Sequence, residues 1–484
     1  MFRTGHRDAG AAHRRLQKWG MPQAQPRVAV IGAGPSGLYA AAALVASGSG
    51  VSVDVLDRLP APYGLVRYGV APDHVKMKNV IRVLQKPFEP AEVHFLGNVR
   101  IGEDGVPLDV LREHDHAIIH ATGSSLDRAL GVPGEDLAGS LGSGAFVSWY
   151  SGHPDHIALD PQLDHPGVAV VGAGNVALDV ARVLAKSGDE MAATDVPDVV
   201  LDAFRGSRVR EIHILIRRGP QHVRFTPAEL RQIGELTNAD VLIHDDGLLA
   251  AGMPDDGDKR QRQNLAMLTE WSTREPEGKP RRIHLRFLRT PVRLLGSDSR
   301  VSGIVVERNR IDETGRIVGT GEEETYGVGL VVRAIGYAAE PVPGLPFDES
   351  TGTVPNEGGR VVRDGKPVSG AYVTGWIKRG PTGVIGTNKG DAAETAAAVL
   401  EDLPSLPTPP HPDPAELRAA LVEHGVHAVD WAAWLRLDAE EIRLGGERGN
   451  ERVKVAELED MLAACCGRGE LGRDLCGVRR AGKT

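Results

Sequence analysis

Gly32, Gly34 and Gly37 stand in a G-x-G-x-x-G spacing directly after the apolar run RVAVI. In such a run the first glycine makes a tight turn and the second lets backbone approach a pyrophosphate. The third lets a helix pack closely on a strand, and the phosphates sit at the positive N-terminus of that helix. Asp57 follows some 25 residues after Gly32, at the end of a second strand-like run, where a carboxylate can accept from both hydroxyls of a ribose. Gly172, Gly174 and Ala177 repeat the spacing with alanine in third place. Here the next strand, EIHILI, ends not in an acid but in Arg217 and Arg218. A 2′-phosphate would be repelled by a carboxylate and held bidentately by a guanidinium. The pair therefore reads as a reader of NADP(H), with a solvated surface pair as the alternative. It lies some 45 residues beyond Gly172, about twice the usual interval, so residues 188–210 are an insertion before the strand.

A third stretch, GWIKRGPTGVIGTNKGD at 375–391, offers backbone N–H groups leading into a helix from Lys389, with Trp376 placed to cover a ring system. Such donors and the positive helix end would stabilise an electron-rich reduced flavin. Two dinucleotide sites in one chain imply electron traffic. A flavin accepts a hydride and releases electrons singly, so FAD at the first fingerprint and NADP(H) at the second is the economical assignment. No spacing suggests a metal site. The three cysteines, Cys465, Cys466 and Cys476, cluster near the C-terminus without a Cys-x-x-Cys, which disfavours disulfide reductases and reads as three free thiols.

The elements that must position these residues follow a βαβ rhythm. RVAVIGAG is a strand entering glycines, PSGLYAAAALVASG an alanine-rich helix, and VSVDVLD a second strand. The same rhythm restarts at GVAVVGAGNVALDVARVLAKSG. Strands belonging with the first fingerprint, HAIIHATG and GAYVTGW, fall on both sides of the second. The expected fold is α/β, with two Rossmann-like dinucleotide-binding domains and the NADP domain inserted into the FAD domain. Its expected parts are a disordered extension at 1–26, the first part of the FAD domain at 27–123 and the NADP domain at 124–335. The second part of the FAD domain spans 336–403, a Pro-rich linker 404–414 and a mostly helical tail 415–484. The formal net charge of -9 argues against nucleic acid as the arginine pair's target. No apolar run is long enough to span a membrane. The basic first 26 residues lack a secretory h-region; an extension, or a start at Met21, is favoured over an import signal, and a cytoplasmic monomer is expected.

The blocks LPAPYGLVRYGVAPDHVKMKNV, GAGNVALDVAR, RRGP, FTPAELR and GWIKRGPTGVIGTNK resemble, in order, those of the adrenodoxin-reductase-type NADPH:ferredoxin reductases. The resemblance covers about residues 27 to 400. It implies FAD contacts at Ser36, Asp57, Leu65, Ile101, Trp376 and the backbone of Gly383, Val384 and Ile385. It implies NADP contacts at Ala173, Gly174, Asn175, Val176, Arg217, Arg218 and Glu229, with Gly383 near the nicotinamide and Arg128 a further candidate. His74 would lie near the flavin and assist proton movement. Gln232 stands where the family often has glutamate, which puts a His–carboxylate proton path in question, and Asp57 stands where glutamate is commoner. The implied activity is NADPH-driven, FAD-mediated transfer of single electrons to an acidic ferredoxin, supplying a cytochrome P450 or another ferredoxin-dependent system. Arg224, Arg231, Lys259, Arg260 and Arg262 are candidates for docking it. An NADPH diaphorase or quinone reductase is the alternative within the class, and a non-catalytic FAD/NADP sensor the alternative outside it.

Overall fold

The computed structural model describes residues 25–251 and 257–467. Most of the extension expected at 1–26 lies outside them. The strand Arg27–Ile31, four of its five residues buried valine, alanine or arginine, runs between two parallel partners, Ser52–Leu56 and Ala117–His120. Val93–Leu96 extends the sheet on one side. On the other side lies Lys366–Val373, also parallel to Ala117–His120, followed by the antiparallel edge strands Arg360–Arg363 and Asn356–Glu357. The seven-stranded sheet is therefore assembled from two stretches of chain more than 200 residues apart.

Between those stretches the chain builds a second, six-stranded sheet, parallel throughout. Its order is Ser140–Gly142, Leu330–Arg333, Gly167–Val171, Glu211–Ile216, Arg281–Phe287, Ala239–His244. A three-stranded antiparallel sheet, Arg289–Ser297, Arg300–Ile311 and Ile317–Tyr326, covers one of its faces through Leu294, Ile304 and Val306. The connections between the two halves pair as a short antiparallel ribbon, Leu126–Asp127 with Tyr337–Ala338. Both main strand sets are nearly continuous apolar runs because helices bury both faces of a parallel sheet. The expected α/β architecture, one dinucleotide-binding half inserted into the other, is the one observed.

Beyond residue 403 the chain returns over both halves. The helices Pro414–Glu423, Trp431–Arg448 and Leu458–Cys466 pack on the first half, where Trp434 and Leu437 enter its core. The segment 448–456 then crosses to the second half. Arg448 donates to Val196 O at 2.7 Å, Asn450 Nδ2 to Ala192 O and Thr194 O, and Lys454 Nζ to Arg67 O and Ser151 O, both at 2.9 Å. Cys465 is a buried free thiol, whereas Cys466 is disulfide-bonded, so the expectation of three free thiols fails there. No helix among the described residues is long and apolar enough to cross a membrane.

Candidate dinucleotide sites and the joint between them

At the first fingerprint Gly32 has φ +111°, and a Cβ there would meet Ala121 O at 2.5 Å. At Gly37 a Cβ would meet Gly32 O at 2.0 Å, so the helix Pro35–Ala46 can sit this close to the strand only with glycine present. The helix starts with proline at N1 and no side chain caps it, which leaves its first N–H groups free for an anion. Asp57 closes the loop: its carboxylate accepts from Ala33 N at 2.9 Å and Leu59 N at 3.0 Å. Burial raises its pKa against these bonds. A carboxylate oxygen has two lone pairs, so capacity for ribose hydroxyls remains.

The C-terminal part of the first sheet supplies the opposite wall. Ser36 Oγ lies 3.0 Å from Asn388 Oδ1, joining the fingerprint helix to the helix Thr387–Asp402. Gly375, at φ +77°, leaves no room for a Cβ, which would stand 2.1 Å from Ser36 Oγ. Asp391 accepts from Gly375 N at 2.6 Å and pairs with Lys378 at 2.7 Å. Trp376 is half-buried and stacked near Tyr337, their planes 18° apart. Leu65 and Val384 are exposed, Val384 to 72%. Gly383 adopts φ +86°, Ile385 is half-buried, and Ile101 lies across an isolated bridge to Val106. Exposed large apolar side chains such as Leu65 and Val384 are of the kind a bound planar ring system would cover.

The second fingerprint repeats the construction. A Cβ at Gly172 would stand 2.3 Å from Ala334 O, and Ala177 is fully buried in the first turn of the helix Asn175–Leu184. Gly174 precedes that helix without a side-chain cap. The loop is locked from outside by Arg224 N donating to Ala173 O at 2.9 Å and Thr226 N to Asn175 Oδ1 at 2.8 Å; Val176 packs at the core's edge. Glu211–Ile216 is the adjacent parallel strand, and Gly172 N donates to Leu215 O. The chain therefore exposes Arg217 and Arg218 beside the glycine loop. Their carbonyls are held by Asn309 Nδ2 and Leu288 N, yet neither guanidinium has a partner among the described residues. Arg128, exposed on the connecting ribbon, donates to Tyr337 O at 3.1 Å.

Over 459 residues the chain is 40% identical to the NADPH-ferredoxin reductase FprA of Mycobacterium tuberculosis, covering 90% of this chain and 98% of that one. It is 37% identical to the mitochondrial NADPH:adrenodoxin oxidoreductase of Arabidopsis thaliana over 90% of this chain and 95% of the relative. The chain belongs to the adrenodoxin-reductase-type NADPH:ferredoxin reductases. The solved structure of Mycobacterium tuberculosis FprA in complex with NADPH superposes with a TM-score of 0.83, covering 91% of this chain and all of the other. The pyridine nucleotide-disulphide oxidoreductase family model matches residues 26–244, which hold both fingerprints and the arginine pair.

In the reductase Glu229 sits in the first turn of the helix Pro227–Gly234. It is buried behind the N-cap Thr226 and points to His74, whose Nε2 lies 3.7 Å from Glu229 Oε2, 3.5 Å from Asp179 Oδ1 and 3.0 Å from Gln232 Oε1. Burial, reinforced by Asp179, raises the Glu229 pKa. So the glutamine does not deprive His74 of carboxylates; the fingerprint helix brings Asp179 instead. Sequence reasoning missed Asp179, although its i,i+3 pairing with Arg182, at 2.5 Å, is a readable helix pattern. It also missed Asp127, which accepts from Gly144 N and Ala145 N at the start of the helix Ser143–Tyr150.

The five basic candidates are all exposed, on neighbouring elements. Arg224 precedes the helix Pro227–Gly234, which carries Arg231, and Lys259, Arg260 and Arg262 lie in the first turn of Lys259–Ser272. Asn264 donates to Phe225 O and Gln261 to Gln221 O, tying these elements together.

Proposed function

We propose that the first cradle holds FAD, the second holds NADPH, and the enzyme passes electrons from NADPH to a ferredoxin. When bound, FAD supplies the interchange between two-electron hydride chemistry and one-electron delivery. The chain's own residues bind and position. The uncapped N-termini of Pro35–Ala46 and Asn175–Leu184 hold the two pyrophosphates, with Gly34 and Gly174 letting backbone approach. Asp57 takes the FAD ribose, and Ser36 with Ile101, Leu65 and Trp376 lines the cofactor's length. Gly383 to Ile385 present backbone to the flavin edge, and Gly383 also lies beside the nicotinamide. Arg128 and Glu229 are assigned to the NADP(H) side. No side chain acts as a nucleophile; rate comes from holding two rings in register, with His74 available to move a proton.

The observation that carries this reading is a guanidinium pair, without a partner among the described residues, at the end of the strand beside an uncapped glycine turn. Two exposed, unpaired cations there have a 2′-phosphate as their natural counter-ion. The exposed face of Arg224, Arg231, Lys259, Arg260 and Arg262 supports an acidic ferredoxin as acceptor, steered by local charge despite the net charge of -9. Mixing the flavin-loaded protein with NADPH, a ferredoxin and cytochrome c tests it. Cytochrome reduction should depend on the ferredoxin and fall steeply with salt. NADPH oxidation by ferricyanide without any ferredoxin-dependent reduction would leave only a diaphorase.

A further inference from the structure

Where the C-terminal chain crosses between the halves, one lysine touches both. Lys454 is 3% exposed, and its ammonium has three hydrogens for three acceptors. Arg67 O and Ser151 O accept at 2.9 Å each, and Asp195 Oδ2 lies 3.3 Å away. Arg67 stands in the last turn of the helix Leu65–Tyr68, in the first half. Ser151 is the C-cap of the helix Ser143–Tyr150, in the second. Carbonyls at a helix C-terminus lack a partner within the helix, so a buried donor suits both. Here a single cation serves one helix end from each half. Burial lowers its pKa to about 7 against the attraction of Asp195, yet a neutral amine would turn its lone pair on one of three acceptors, so the geometry fits the charged form.

The lysine is itself held fast. Its backbone N–H donates to Asp195 O at 3.1 Å, while Val453 N and Val455 N donate to Glu441 O and Glu441 Oε1 at 2.9 and 3.0 Å. Asp195 also takes Lys78 Nζ, from the first half, at 2.6 Å. Sliding the halves apart would strand buried carbonyls and a buried carboxylate, which is costly. Arg58 and Asp155 pair across the seam as well, but with side chains 38% and 42% exposed, where an ion pair contributes little. The tripod also stands close to a cradle: a Cβ at Gly64, just before Leu65–Tyr68, would lie 3.0 Å from the Cα of Gly34 in the first fingerprint. We propose that Lys454 is a positioning residue for hydride transfer: its tripod sets the register of the two halves, and so where the nicotinamide lies against the flavin. This rests on the two cradles holding FAD and NADPH. A ring misplaced by about 1 Å can cost about a hundredfold in rate. It need not loosen the nucleotide, because Arg217, Arg218 and the second glycine turn all belong to one half.

The test compares flavin-loaded wild type with Lys454→Met, which removes the donors, and Asp195→Asn, which keeps the shape and removes the counter-charge. In stopped-flow mixing with NADPH, both variants should reduce flavin at least about tenfold more slowly at saturation, while the Kd for NADPH changes less than about threefold. The long-wavelength absorbance of stacked nicotinamide and flavin rings should weaken in parallel, a readout independent of turnover. Reduced by dithionite instead, the variants should pass electrons to a ferredoxin at the wild-type rate. Lys279→Met, which removes a lysine-to-carbonyl bond lying wholly within the second half, should change none of these. Retained flavin absorbance reports an intact fold, and if Lys454→Met loses its flavin the shape-preserving Asp195→Asn decides. The proposal is overturned if the flavin-bearing variants match the wild type in rate and absorbance, or if rate and NADPH affinity fall in proportion. A wild type whose flavin NADPH does not bleach would overturn the functional reading, and this inference with it.

Discussion

Arg217 and Arg218 differ from arginines of the neighbouring strands in that their guanidinium groups have no partner among the described residues. Arg282 grips Glu211 and Arg289 grips Asp246 at 2.7 Å, so removing either of those would cost packing as well as charge. Replacing the unpaired couple by glutamine should leave folding alone and weaken only the response to a 2′-phosphate. Charge-assisted bonds of about 1.5–3 kcal/mol each imply a loss of at least about a hundredfold in kcat/KM for NADPH. With NADH the change should be small; equal losses for the two substrates would refute the phosphate assignment. This chemistry is legible in the chain because each fingerprint is local: glycines, strand and helix lie within one βαβ unit. The surroundings of His74 are not legible. Its neighbours at 179, 229 and 232 arrive through tertiary packing, and a glutamine in a familiar place suggests a missing carboxylate where two others stand close by.

At the scale of elements the second sheet holds a stack that hydrophobic patterning does not reveal. His213, His284 and His244, on three neighbouring strands, lie ring against ring, with centroids 4.7 Å apart for the first two. Tyr326 from the covering sheet stacks on His213, and Arg286 sits over that tyrosine. Burial holds His213 down at about 3 and His244 at about 4, and lowers His284 as well. In the unfolded chain these rings take up protons near pH 6.5. Between that pH and about 3–4 the folded sheet therefore binds fewer protons than the unfolded chain. Stability is complete above pH 6.5 and falls as the pH drops through this window. Thermal unfolding followed by circular dichroism should show that decline, and His213→Phe, which keeps the stack on Tyr326, should flatten it. An unchanged slope would place the acid sensitivity elsewhere. The strands themselves were readable as buried apolar runs. Which polar residues they line up was not, because that depends on the register between strands far apart in the chain.

At the scale of the whole molecule, the return of the C-terminal chain decides how the halves are held. Glu441, completely buried on Trp431–Arg448, accepts from Arg67 Nη1 at 2.9 Å and from Val455 N at 3.0 Å, and reaches Arg452. Removing one partner of such a buried pair costs about 3–5 kcal/mol because the other charge is left stranded. Glu441→Gln should therefore lower the urea midpoint markedly although it lies in neither cradle; an unmoved midpoint would show that the clasp contributes little. The interleaving of the two halves also sets an order in time. The strand Lys366–Val373 and Gly375, which abuts Ser36, leave the ribosome only after the entire inserted half has been made. The inserted half, complete in sequence by Arg333, can collapse during synthesis while the first sheet still lacks a wall. Flavin loading is therefore a late event: a nascent chain stopped before residue 390 carries the first glycine fingerprint intact and yet has no finished place to keep its cofactor.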